Sequence, residues 1–242
     1  MSHLTAVVGA SPQLPCLAAA LSSCRHWDTI AAFGGSLPCA GLVTDDPQDF
    51  AKKNAAGFRT LKVKILPETT IDDVRSALAN FDGALRLDAN ASLDLATARA
   101  WLEFVRSEPR IQFLEQPLPV GHAGYASLGT AKVALDESFL TPAGLEWDGP
   151  VIVKPLLVGD WDHFLAWRKA DATRAVTYSS CFETAIGRQG ALWLAAQDLA
   201  TSAVGFDTLG RFEMDGRDRH VSGPEARGAL DISWDQFWRD LT

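Results

Sequence analysis

Apolar and polar positions alternate along this chain in a recurring unit: a short apolar strand, a turn, then a helical pattern. Residues 13–33 (QLPCLAAALSSCRHWDTIAAF) read as a helix ended by the GGS at 34–36, and LPCAGLV (37–43) reads as the first strand. A helix starting at Asp46-Pro47 leads to TLKVKI (60–65), where lysines alternate with Leu61, Val63 and Ile65. The next helix opens at Thr70, with Asp73 three places on, the spacing of a capping box. ALRLDAN (84–90), IQFLEQPL (111–118), KVALDES (132–138), PVIVKP (150–155), AVTYSS (175–180) and SAVGFDT (202–208) follow as strands three to eight. Helical stretches separate most of them, with a looser segment from 119 to about 129.

Eight strands set between helices predict an α/β fold with a parallel sheet, a TIM-type (β/α)8 or (β/α)7β barrel. Several strands are apolar on both faces, as buried parallel strands are. Residues 1–35 are expected to be a helical lead-in, 36–210 the barrel, and 211–242 a charged segment that turns at Ser222-Gly223-Pro224 and packs on the barrel or on a remnant cap.

At 242 residues and 47% hydrophobic, the chain can bury a full core. Its net charge of −8, without a basic block, argues against nucleic acid and against an anionic surface as partner. The four cysteines form no CxxC pair, and no stretch approaches the length of a membrane span. With no signal-peptide pattern at the N-terminus, a reduced, cytoplasmic protein is expected. The five histidines have no zinc-ligand spacing, GxGxxG and GxxxxGK do not occur, and only its position would make Cys181 a nucleophile.

The candidate chemistry lies at strand ends. Strands three to six each place one ionisable residue just before a turn: Asp88, Glu115, Asp136 and Lys154. Lys64 holds the same place on strand two. A single acid at a strand end is usually a turn or cap residue, and a lysine face on a strand usually meets water. Three carboxylates on consecutive strands are a different matter, because they repel one another in a partly desolvated mouth unless a cation sits among them. Hard oxygen ligands without His or Cys suit Mg²⁺. Asn90, on the same face as Asp88, is placed to hydrogen-bond behind the ligands.

These stretches resemble the KxK, DxN, ExP, DE and KP strand-end motifs of the enolase superfamily, in the right order from about residue 36 to 210. The similarity is greatest to the muconate-cycloisomerase-like group. The resemblance implies that Asp88, Glu115 and Asp136 bind Mg²⁺, with Asn90 and Glu137 behind them. It also implies that Lys64 and Lys154 flank a small carboxylate substrate. Removing a proton α to a carboxylate needs a neutral base, and a free lysine has a pKa of about 10.4. Lys62, a like charge on the same face, is expected to help push Lys64 toward about 7–8.

YSSCFETAIGRQGAL (178–192) is similar to the SSxE stretch of o-succinylbenzoate synthases of menaquinone biosynthesis, lyases that dehydrate 2-succinyl-6-hydroxy-2,4-cyclohexadiene-1-carboxylate to 2-succinylbenzoate. Ser179, Ser180 and Glu183 are then candidates for holding a substrate carboxylate, although Ser180 and Glu183 also fit a helix-capping box. Acylamino-acid racemisation or dipeptide epimerisation is the alternative within the superfamily. Phe206-Asp207-Thr208 lacks the DxD that dipeptide epimerases often carry there. A non-catalytic, metabolite- or partner-binding barrel is the alternative from another class. The family's N-terminal α+β cap is largely missing from the pattern, which fits a reduced natural form, a truncated gene product, or a mouth covered by a partner chain or oligomer.

Overall fold

The computed structural model describes residues 14–198, 202–208 and 223–228, together with 233 and 239. Most of the predicted 211–242 segment, including Ser222 of its expected turn, lies outside the described residues. Contacts divide the chain into two compact units. One comprises Cys39–Ile152 and Arg174–Thr177; the other comprises Met1–Pro38, Val153–Thr173 and Tyr178–Thr242.

The first unit is built on a parallel sheet of β2 (Gly41–Leu42), β3 (Thr60–Lys64), β4 (Ala84–Asp88), β5 (Ile111–Glu115) and β6 (Val133–Ala134), in chain order. A parallel bridge from Leu135 to Val151 adds the start of β7 (Val151–Val153). The Val151 amide then donates to the carbonyl of Ala175, just before β8 (Val176–Tyr178). Leu61, Leu85, Leu87, Ile111 and Leu114 are fully buried, which agrees with the two-faced apolar pattern.

Helices α3 (Asp49–Ala55), α4 (Ile71–Ala79) and α5 (Leu95–Ser107) connect these strands, and α6 (Tyr125–Leu128) and α7 (Pro142–Leu145) are single turns. The capping box predicted at Thr70 and Asp73 is present at the start of α4. On α5, Ala98, Trp101, Leu102 and Val105 are buried along one face, and the Asp94 side chain caps the Thr97 amide. Beyond the far end of α5, the Lys132 ammonium donates to the carbonyls of Val105, Glu108 and Ile111 at 2.8–2.9 Å.

The second unit holds α1 (Pro15–Arg25), α2 (Trp27–Ala31), β1 (Ser36–Pro38), α8 (Trp161–Ala170), α9 (Ala185–Ala196) and β9 (Glu225–Arg227). β1 and β9 pair antiparallel, with Ser36, Leu37 and Pro38 opposite Arg227, Ala226 and Glu225. Ser179 donates its amide to Val153, and Ser179 and Gly205 form a parallel bridge. Among the described residues no helix is long and apolar enough to cross a membrane.

Several boundaries differ from the sequence reading, each for a local reason. The helix expected over 13–33 is interrupted at His26, whose amide turns back onto Ser23. The helix expected from Asp46 begins at Asp49, because the Asp46 carboxylate takes the Gln48 amide in a turn. The strand expected over 37–43 divides into β1 and β2. The strand expected over 132–138 shrinks to two residues, since the amides of Asp136 and Ser138 are claimed by a side chain described below. The eighth strand is reduced to bridge pairing around Gly205. A Cβ at Gly205 would stand 2.8 Å from Ser179 Oγ, so only glycine allows that approach.

The buried ion pair of the second unit joins Arg168 on α8 to Asp198 beyond α9, with Nε to Oδ2 at 2.5 Å and both side chains under 8% exposed. The Tyr178 hydroxyl donates to the same carboxylate at 3.1 Å. Asp198→Asn leaves the guanidinium buried against a neutral amide. It is expected to lower unfolding free energy by about 3 kcal/mol, measured by urea denaturation.

Candidate active site

The parallel register of the first unit sets three strand ends side by side. Lys64 pairs with Asp88 across β3 and β4, and Asp88 pairs with Glu115 across β4 and β5. Residues two apart on a strand share a face, so Lys62, Arg86 and Phe113 form the layer beneath them. Phe113 also belongs to a buried cluster with Ala134 and Ile152.

Lys62 reaches up from this lower layer. Its ammonium lies 2.8 Å from Asp88 Oδ2 and 2.7 Å from Glu115 Oε1. The side chain is 21% exposed and the Glu115 side chain only 1%. Burial works against the Lys62 charge, but Glu115 and Asp88 together outweigh it and hold its pKa above the usual lysine value. Glu115 moves up to about 7: burial dominates, and the charges of Asp88 and Asp136 add to it against the pull of Lys62. Below them the Arg86 guanidinium, 2% exposed, donates to Gln112 at 2.7 Å and lies over the Phe113 ring. Burial brings it down to about 10, although Glu115 favours its charge.

Lys62 is thus engaged by two carboxylates rather than standing as a bare charge beside Lys64. Lys64 itself is exposed at the end of β3. Asn90 does serve Asp88, but through its backbone: its amide donates to Asp88 Oδ1 at 2.9 Å from a left-handed conformation with φ 44°. Asp136 is 8% exposed, while Glu137 is exposed and acts electrostatically on Tyr125. Among the described residues, no three His, Cys, Asp or Glu side chains stand close enough together to hold a metal as placed. The donor set nevertheless suits one in chemistry: hard carboxylates, desolvated and mutually repelling, with Glu115 pushed toward neutrality first by burial and then by the charges of Asp88 and Asp136.

The remaining candidates lie in the second unit. Lys154 precedes a 3₁₀ turn at Pro155–Leu157 and lies within electrostatic range of Cys181. Ser180 Oγ donates to Glu183 Oε2 at 3.1 Å, and it accepts from the Phe182 amide and the Thr208 hydroxyl at 3.0 Å. Glu183 also takes the Cys181 amide at 2.8 Å. These bonds make a turn, not the predicted capping box: α9 begins two residues later, with Thr184 at its N-cap and no side-chain cap. The Cys181 thiol is pushed up to about 11 by burial and by Glu183, which leaves it a thiol at neutral pH and a poor nucleophile.

Sequence reasoning missed Arg86 and Gln116. Arg86 had a readable signal, a cation in an otherwise apolar strand two residues before Asp88. Gln116 had none beyond its place after Glu115.

Residues 47–147 match a family model described as enolase C-terminal domain-like. The o-succinylbenzoate synthase of Thermosynechococcus vestitus is 33% identical over 135 residues, which is 50% of this chain and 42% of that protein. This chain's match therefore spans less than half the length of that relative. Among solved structures, o-succinylbenzoate synthase from Thermosynechococcus elongatus, complexed with Mg in its active site, superposes with a TM-score of 0.65. It is 23% identical, and the match covers 84% of this chain and 67% of that one. MenC from Desulfotalea psychrophila also gives 0.65, at 21% identity, with 81% and 61% covered. A dipeptide epimerase from Methylococcus capsulatus, complexed with Mg and the dipeptide L-Arg-D-Lys, gives 0.60 at 22% identity, with 84% and 66% covered. These likenesses bear out the α/β, TIM-type barrel fold expected from the strand count.

The raised pKa of Glu115 has a measurable consequence. The ordinary Glu value is about 4.3, so folding takes up a proton on this group between about pH 4.5 and 7. Its contribution to stability therefore falls as pH rises through that window. Wild type, in chelator, is expected to lose stability relative to Glu115→Gln from pH 5 to 7. Urea unfolding at stepped pH measures the difference, and a flat difference would contradict the assignment.

Proposed function

We propose that this chain, whose residues 47–147 match the enolase C-terminal domain-like family model, removes the proton α to a carboxylate and expels hydroxide. Its reaction is the o-succinylbenzoate synthase reaction, converting 2-succinyl-6-hydroxy-2,4-cyclohexadiene-1-carboxylate to 2-succinylbenzoate and water. The observation that carries this reading is the row of Lys64, Asp88 and Glu115 at one register on three adjacent strand ends, with desolvated carboxylates short of positive charge. The 33% identity to an o-succinylbenzoate synthase supports dehydration as the outcome.

Asp88, Glu115 and Asp136 would hold Mg²⁺, which when bound supplies stabilisation of the negative charge that proton removal places on the substrate carboxylate. Lys64, exposed at the end of β3, is the base: its neutral amine takes the α-proton, and the resulting ammonium returns that proton to the departing hydroxide as water. Proton and hydroxide both leave the substrate, so atoms balance, and formation of the aromatic ring drives the loss. Lys62 stays protonated and orients Asp88 and Glu115. Lys154, assigned from its KP motif, is the cation that stabilises the enediolate electrostatically. The turn of Ser179, Ser180 and Glu183, with the α9 N-terminus after it, is the proposed seat of a substrate carboxylate.

The test is turnover by purified protein with Mg²⁺, followed by the absorbance of the aromatic product. Lys64→Ala is expected to reduce turnover by a factor of about 10³ or more while leaving Mg²⁺ binding intact. In heavy water, α-proton exchange of acylamino acids or dipeptides without dehydration would assign racemisation or epimerisation instead. Neither turnover nor exchange from folded, Mg²⁺-loaded protein would favour a binding role.

A further inference from the structure

The end of β5 carries a side chain to which the reading above gives no part. Gln116 is fully buried and adopts φ 39°, a left-handed conformation that is unfavourable for a residue with a side chain. Its amide group is enclosed by partners. Nε2 lies 2.9 Å from the Leu118 carbonyl, 2.9 Å from the Tyr125 hydroxyl and 2.7 Å from the Ser138 hydroxyl. Oε1 accepts from the backbone amides of Asp136 at 3.1 Å and Ser138 at 3.2 Å. The orientation of the amide follows from these partners: a carbonyl can only accept and the two backbone amides can only donate.

The Gln116 backbone is held as well. Its amide donates to the Ala134 carbonyl at 2.8 Å, and its carbonyl accepts from the Ala91 amide at 2.7 Å. Ala91 is itself left-handed, with φ 59°, and follows Asn90 in the same conformation. The Ala89 amide donates to the Glu115 carbonyl at 3.1 Å. Gln116 therefore ties the turn that follows Asp88 to the turn that contains Asp136, with Glu115 as its immediate neighbour.

We infer that Gln116 is a positioning residue that fixes Asp136 relative to Glu115, and that it thereby sets the affinity of the carboxylate set for a divalent cation. The second part rests on the metal assignment made under the proposed function; the first does not. The geometry gives the reason. β6 pairing ends at Ala134, so Asp136 stands beyond the last ladder bond on its strand. The glutamine side chain replaces the missing ladder there by accepting the two amides that flank Glu137. Its backbone strain is tolerated because every polar atom of the amide is partnered in a buried network. Gln116 touches none of the reacting atoms.

The experiment has two arms. In the first, amide hydrogen exchange is followed in metal-free protein. Gln116→Met is expected to speed exchange at Asp136 and Ser138 at least tenfold, with the amides of Leu85 and Leu87 unchanged. Gln116→Glu, which keeps the acceptor, should preserve much of the protection. If Gln116→Met does not fold, Gln116→Asn, one methylene too short to reach both amides, should show the same loss. In the second arm, Mg²⁺ alone is titrated calorimetrically into wild type, Gln116→Met, Asp136→Asn and the double variant. Gln116→Met is expected to weaken binding by about tenfold or more, and to weaken it much less in the Asp136→Asn background. Unchanged exchange at Asp136 and Ser138, or Mg²⁺ effects that simply add, would overturn the inference. Should wild type bind no Mg²⁺, the metal assignment falls, and the exchange arm alone decides the role of Gln116.

Discussion

Everything at the candidate site depends on one ammonium group held between two buried carboxylates. Glu115 has almost no access to solvent, and Asp88 has little more. Left alone, two such carboxylates in register on neighbouring strands would repel each other and resist ionisation. Lys62 removes that conflict at hydrogen-bonding distance to both. The position of the lysine follows from strand geometry: a residue one layer down needs a long, flexible stem to bring its charge level with the strand ends, and lysine supplies one. Arg86 contributes a second buried cation from the adjacent strand, shielded against Gln112 and the Phe113 ring.

The site is framed as much by backbone as by side chains. Asn90, Ala91 and Gln116 all adopt left-handed conformations, Gln116 directly after Glu115 and the other two just past Asp88 and Ala89. Such residues persist only where surrounding bonds over-determine them. Here those bonds are the Asn90 amide to Asp88, the Ala91 amide to the Gln116 carbonyl, and the enclosed Gln116 amide. Strand ends normally fray into loops. These turns instead hold Asp88 and Glu115 against neighbours whose positions are themselves fixed.

The alignment of charged residues at the strand ends was legible in the sequence because it follows from period-two alternation and from turns. Asp88 and Glu115 are aligned because the strands are parallel and in register, and apolar runs ending in one charge announce that arrangement. The role of Lys62 was not legible. An alternating lysine looks the same whether it faces solvent or reaches two acids 26 and 53 residues away in sequence, and only the pairing of β3, β4 and β5 decides. Gln116 was hidden for a related reason, since its partners come from three separate turns. Ser180 and Glu183 show the opposite failure. Their spacing satisfies a capping box, yet their bonds to Thr208, Cys181 and Phe182 form a turn that ends before α9 begins. Spacing gave the right local pairing and the wrong element.

Charge counting explains why the carboxylates suit a divalent ion even though Lys62 is already present. Asp88, Glu115 and Asp136 carry −3 when ionised, and Lys62 and Arg86 return +2, leaving one negative charge in a desolvated place. Burial is the main reason that Glu115 holds its proton up to about pH 7, and the charges of Asp88 and Asp136 add to it. A divalent ion at this set would change the local balance from −1 to +1 and offset the Asp88 and Asp136 charges that help to keep Glu115 protonated. It would also compete with Lys62 for the same oxygens, because a carboxylate oxygen facing an ammonium at 2.7–2.8 Å is not open to a second cation at full strength. The affinity of the set is therefore a difference between two attractions. Asp136 enters that balance from a turn whose backbone amide is held by Gln116 Oε1, so its position is set by that side chain and not by the β6 ladder.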